Sequence, residues 1–182
     1  MKLLLILLAF ALGFGATGSV HAKDRMLDLA PDWEFVADTV MGGVSTGQIQ
    51  HVEIAGRRAT RLTGVVSLEN NGGFVQMAYD LRPDGGAMDA SDFSGLEIDV
   101  YGNGETYDLR LRTTALTRPW QSFRTDFTAP PTWTTVRIPF SNIVPNKTDA
   151  TFDAKDLRRI GILAVGRTMM ADVAVAAIRL YR

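Results

Sequence analysis

The chain has 182 residues, a formal charge of -1 at pH 7 and no cysteine. Such a near-neutral balance is a poor match for nucleic-acid binding, which draws on a strongly basic surface. The lack of cysteine excludes disulfide scaffolding, thiol catalysis and thiolate metal ligation.

In chain order, Lys2 supplies a positive start, and an apolar run follows from Leu3 to Phe14, broken only by Gly13. Gly15, Ala16, Gly18 and Ser19 are small, and Val20-His21-Ala22 puts compact residues three back and one back from a cut after Ala22. This is the layout of a cleaved secretory signal peptide. The run is shorter than the roughly 20 residues that span a bilayer. The expected organisation is therefore a leader over residues 1–22 and one domain over residues 23–182, exported to the periplasm with no membrane span after cleavage. A domain of that size buries about 70% of the surface of its unfolded chain and needs no metal or disulfide to hold it together.

Past Ala22 the pattern is of period two rather than 3.6, which is the strand signal. Gln48–Ile54 and Arg58–Thr63 flank Ala55-Gly56-Arg57 as a hairpin. Phe74–Leu81 reads as a strand. In Leu96–Tyr101 and Tyr107–Arg112, apolar and polar or charged positions alternate on either side of Gly102-Asn103-Gly104, which predicts a second hairpin. Gln121–Phe127, Trp133–Ile138, Arg159–Val165 and Val173–Tyr181 complete about nine strands, with one short helical turn near Asp153–Leu157. Pro130-Pro131, Pro139 and Pro145 mark loops or strand ends. Even spacing of short strands predicts an all-β sandwich or jelly roll. Trp33 and Trp133 read as core residues. The arginine clusters at Arg57-Arg58-Arg61 and Arg158-Arg159 read as solvated faces.

Chemistry is sparse. Gly43-Val44-Ser45-Thr46-Gly47 fits the nucleophile-elbow pattern, but a strand rather than a helix follows it. His51, the one histidine after the leader, would lie about 20 Å from Ser45 along an extended strand. One histidine and no cysteine do not build the usual zinc or iron sites. Asp84, Asp89, Ser91 and Asp92 crowd one loop as oxygen donors for calcium, yet Phe93 stands where an EF-hand needs a ligand. A solvated turn is the other reading there. Asp38 and Glu69 are the remaining carboxylate pair, useful to an enzyme if they converge in an open pocket. The expectation is a non-catalytic protein with no cofactor and no metal.

Two segments have unusual makeup: Asp38-Thr39-Val40-Met41-Gly42-Gly43-Val44-Ser45 and Ser67-Leu68-Glu69-Asn70-Asn71-Gly72-Gly73-Phe74. Each sets amides, carboxylates or hydroxyls beside a glycine pair, which permits close approach of another chain or a ligand. A self-contained turn or bulge is the other reading. The candidate binding residues are Asp38, Met41, Gly42, Gly43, Ser45, Glu69, Asn70, Asn71, Gly72, Gly73 and Phe74. Trp120, which follows Arg118-Pro119 in a loop, joins them as a surface contact, with core filling as its alternative.

These segments, with Trp33, "FSGLEIDVYGNGETYDLRLRT" and "WTTVRIPFSNIVP", resemble the complex I intermediate-associated protein 30 family from Trp33 to Ile178. The resemblance implies a galactose-binding-like jelly roll. It also implies a chaperone-like role in assembling NADH:ubiquinone oxidoreductase, with a protein partner that would be a respiratory-complex subunit, and it carries no catalytic residues. An exported copy would meet only the outer side of the membrane arm. A carbohydrate or small-molecule binding module is the second functional reading.

Overall fold

A computed structural model of the protein describes residues 26–182; the predicted leader and its cleavage site lie outside the described residues. Among these, no helix is long and apolar enough to cross a membrane. The strands are β1 (Leu27–Asp28), β2 (Glu34–Ala37), β3 (Thr46–Ile54), β4 (Arg57–Val66), β5 (Phe74–Asp80), β6 (Gly95–Gly102), β7 (Thr106–Thr113), β8 (Ser122–Thr128), β9 (Thr134–Pro139), β10 (Val144–Asn146), β11 (Leu157–Val165) and β12 (Met169–Tyr181). The nine predicted strands are present with shifted ends. The three additions, β1, β2 and β10, span two to four residues, too short for alternation to register.

The strands form two antiparallel sheets. Sheet A runs β3-β4-β12-β6-β9, with β1 also paired to β12; sheet B runs β10-β8-β7-β11-β5-β2. Period-two alternation sends one side of each strand inward. Leu62, Ile98 and Val173 of sheet A and Met77, Leu109 and Ile162 of sheet B are completely buried in one core. Each such side chain contributes about 1.5–3 kcal/mol by leaving water. The all-β jelly-roll sandwich is thus the direct result of the sequence pattern.

Three expectations need correction. The strands around Gly102-Asn103-Gly104 are not a hairpin: β6 lies in sheet A and β7 in sheet B. The segment is a corner between sheets, held by Gly102 N–H donating to Pro130 O at 2.8 Å and Gly104 N–H to Ala129 O at 2.8 Å. Trp133 is half-buried rather than core. It lies on the outer side of sheet A with the Arg57 guanidinium 4.8 Å from its ring centroid, and its indole N–H donates to Ile54 O at 2.8 Å. Pro145 sits in β10 rather than a loop, where the edge position tolerates its missing donor.

The β3–β4 hairpin is present, with a loop one residue shorter than the predicted Ala55-Gly56-Arg57 because Arg57 joins β4. Ile54 pairs with Arg57, so the loop is Ala55-Gly56, and both residues have positive φ (47° and 75°). Two-residue loops of this kind suit asparagine or glycine at the first position better than alanine. Ala55→Asn is expected to raise unfolding free energy by about 0.5–1 kcal/mol, measured by urea denaturation. An unchanged or lower value would show that the turn is not strained.

Candidate functional site

The two unusual segments meet. Asp38 opens a short 3-10 turn (Asp38–Met41) between β2 and β3, and its side chain is completely buried. Ser45 N–H donates to Asp38 Oδ1 at 3.0 Å, and the Ser45 hydroxyl donates to Oδ2 at 2.5 Å. From the second segment, Gly73 N–H and Phe74 N–H donate to the same Oδ2 at 2.5 and 3.2 Å. Ser67 N–H in turn donates to Ser45 Oγ at 3.0 Å. One carboxylate thus closes both loops.

The glycines have a steric role. A Cβ on Gly43 or on Gly72 would run into the Asp38 carboxyl group. Asn70 and Asn71 supply left-handed backbone at φ 56° and 58°, which asparagine tolerates. Burial alone would raise the Asp38 pKa; hydrogen bonds from Ser45 and from the Gly73 and Phe74 amides outweigh it and hold the group below its usual value.

The remaining candidates sort by exposure. Gly43, Ser45 and Gly73 are buried; Gly72 and Phe74 are half-buried; Met41, Gly42, Glu69, Asn70 and Asn71 face solvent. Glu69 therefore does not share a pocket with the enclosed Asp38. Nor does Ser45 meet a base, because the ring Nδ1 of His51 lies 3.2 Å from the Thr60 hydroxyl instead. In the predicted acidic loop, Asp84 accepts from Arg82, Asp89 from the Ser91 amide, and Asp92 from Arg182. Among the described residues no group of three or more acidic or histidine side chains is arranged to hold a metal ion.

Around the Asp38 knot stand exposed apolar side chains, of which the sequence reading singled out only Met41. Val40, Met41, Val44, Val65, Leu68 and Met170 account for six of the ten large hydrophobic residues exposed among those described. Val40 and Met41 are 70% and 63% exposed, and Met170 is 73% exposed. Val65 and Met170 are cross-strand partners on β4 and β12, and Val44 precedes the knot's Ser45. Leu68 packs at the Gly73 backbone. Val65 and Met170 show as outward positions once β4 and β12 are paired, but no local pattern reveals that pairing.

Trp120 lies elsewhere. It is 53% exposed on the loop between β7 and β8 and lines a cleft of about 340 Å³ on the outer face of sheet B. Arg110, Arg112, Arg158 and Arg159 line the same cleft. The Arg158-Arg159 pair, read from sequence as a solvated face, is thus part of a concave wall.

The sequence profile of the complex I intermediate-associated protein 30 (CIA30) family matches residues 23–173. No curated protein matches the chain in sequence. Among solved structures it is similar to the family 11 carbohydrate-binding module of cellulosomal cellulase Lic26A-Cel5E of Clostridium thermocellum, at a TM-score of 0.67 and 16% identity, covering 86% of this chain and 93% of that one. The family 30 module of cellulosomal cellulase CEL9D-CEL44B of the same organism gives 0.60 and 18%, covering 86% and 96%. An exo-beta-agarase gives 0.56 and 13%, covering 86% of this chain and 25% of that one. At these identities the likeness is one of fold.

The Asp38 network makes a definite prediction. In either orientation asparagine would set an NH2 donor against backbone N–H donors, those of Gly73 and Phe74 at one position or that of Ser45 at the other. Asp38→Asn is expected to cost about 2–4 kcal/mol at pH 7. The folded pKa lies below the unfolded value near 3.9, so the carboxylate's contribution is full above that value and fades as pH falls through the folded one. Urea unfolding of both proteins from pH 7 to pH 2.5 should show the gap narrowing at the acid end. A constant gap would mean that charge is not what matters.

Proposed function

Because the chain belongs to the complex I intermediate-associated protein 30 family, we propose that it is a non-catalytic binding module docking a protein partner through the apolar rim around Asp38. The observation that carries this reading is the concentration of exposed valine, leucine and methionine beside a rigid, self-satisfied loop pair. Monomeric proteins keep large apolar patches off their surfaces unless a partner covers them. Methionine adapts to irregular partner surfaces. The knot holds these side chains out of the core, so little ordering entropy is lost on contact. The partner we propose is a complex I intermediate, the species in the family's description.

Replacing both Val40 and Met41 by aspartate is expected to leave the unfolding free energy within about 0.5 kcal/mol, since both are exposed. In pull-downs from native membranes, wild-type protein should recover a defined respiratory subunit and the double variant should not. Equal recovery by both would take the dock away from this rim.

The proposed compartment is the periplasm. The signal-like arrangement before Ala22 supports it, and the family match begins at residue 23, the residue a cut after Ala22 would expose. Export would confine partner contact to the outer surface of the membrane arm. N-terminal sequencing of protein from the periplasmic fraction should begin at Lys23; an intact Met1 in the cytoplasmic fraction would reject this assignment.

A second reading, carbohydrate binding, is favoured by Trp120. An exposed indole beside a cleft is the usual platform for a sugar ring. The fold likeness to carbohydrate-binding modules agrees with it without establishing a ligand.

A further inference from the structure

We propose that the Trp120 cleft binds acidic oligosaccharide, with a uronate carboxylate on its arginines and the sugar ring against the indole. This rests on the second reading above and adds the ligand's charge. On the outer face of sheet B, Glu34 pairs with Ala78, Ala78 with Gly161, Gly161 with Arg110, and Arg110 with Arg124. The middle of this cross-strand row carries a methyl group and a hydrogen. Longer side chains flank it and lean over both residues, which are buried, so the row is a depression walled by arginines above a covered floor. The space comes from sequence, not from a packing defect.

The walls are cationic. Arg110, Arg112, Arg158 and Arg159 line the cleft against one acidic side chain, Glu34, in a chain whose overall formal charge is -1. Glu34 is already engaged by Arg159, which also donates to Asp80 at 3.1 Å. Arg110 donates to Asp108 at the long distances of 3.2 and 3.3 Å. Arg112 has no carboxylate partner; its guanidinium donates to the Arg118, Pro119 and Gln121 carbonyls at 3.0, 2.6 and 3.0 Å. Those bonds hold the loop that carries Trp120.

Arg158 is the least committed of the four. Its Nε is buried and has no hydrogen-bond partner, and its approach to Asp80 is 3.9 Å. The side chain as a whole is 37% exposed and its guanidinium makes no internal hydrogen bond, so its outer nitrogens are free to meet a carboxylate. Burial and the neighbouring Arg158 and Arg159 charges also hold Arg112 below the usual arginine pKa. A carboxylate beside Arg112 would offset both effects on that side chain.

The choice of a sugar acid over a bare anion follows from Trp120. It is 53% exposed, with the Arg118 guanidinium 5.9 Å from its ring centroid. Such an indole offers a flat apolar face next to the charges, which suits a pyranose bearing a carboxylate.

The test is calorimetry on the full chain with trimers of galacturonate, mannuronate and guluronate, each beside its methyl ester. At least one acid should bind, and its ester should bind about tenfold or more weakly, the effect of losing one charge-assisted hydrogen bond. Arg158→Gln, which removes charge without removing an internal hydrogen bond, and Trp120→Ala should each weaken the acid to a similar degree at unchanged melting temperature. Binding should also fall as salt rises from about 0.05 to about 0.5 M. Equal affinity for acid and ester would overturn the charge selection while leaving a sugar site. Silence across acids, esters and neutral cello- and mixed-linked oligosaccharides would overturn both. Wild-type affinity in both variants would move the site away from this cleft.

Discussion

A carboxylate taken out of water must find donors for its oxygens within the protein, and Asp38 finds them on two loops. Its partners come from Ser45, seven residues on, and from Gly73, 35 residues on. Such a bond set cannot be kept by one loop alone. It needs β2, β3 and β5 already in place, because each donor follows or precedes a strand. The network is therefore a report that the sandwich has closed, and it fixes how the chain leaves that end. Exposed ion pairs such as Arg82–Asp84 contribute little by comparison, being screened and mobile.

This explains why buried polar residues and exposed apolar residues alternate in one stretch. Asp38, Gly43 and Ser45 turn inward, so Val40, Met41 and Val44 must turn outward. Glycine at Gly43 and Gly72 is demanded by the carboxyl group, not by an incoming ligand. The two glycine pairs thus serve the geometry of the Asp38 network. The scaffold is polar and the presented surface is apolar, the reverse of the usual division between core and exterior.

Much of the sandwich was legible from period-two alternation, because each buried face repeats every second residue. Leu96, Ile98 and Val100 mark β6, and Leu109 and Leu111 mark β7, whatever sheet they join. What alternation does not encode is which strands pair. Gly102-Asn103-Gly104 has hairpin chemistry, yet its amides bond to Ala129 and Pro130, far along the chain, and the strands part to different sheets. At Ala55-Gly56 the flanking strands stay in one sheet, with Ile54 paired to Arg57 across the turn. The site was half legible for the same reason. The composition around Asp38 and Gly72 singled out both segments, but only cross-strand register brings Val65 to Met170, or Ala78 to Gly161.

Register also separates two outer faces that look alike in sequence. Both carry arginines alternating with core residues. On sheet A the central position is Asp99, almost fully buried, which accepts from Arg57 at 2.6 Å, from Arg179 at 2.9 Å and from the Thr135 hydroxyl at 2.6 Å. Burial alone would raise its pKa, but these partners lower it, and Trp133 covers Arg57. Nothing there is open to a ligand: charge is matched by charge and the space is filled. On sheet B the central positions are Ala78 and Gly161, and the acids sit at the edges of the arginine cluster, not in its middle. Two small residues in register keep the middle of this arginine row low, where on sheet A the buried Asp99 fills it.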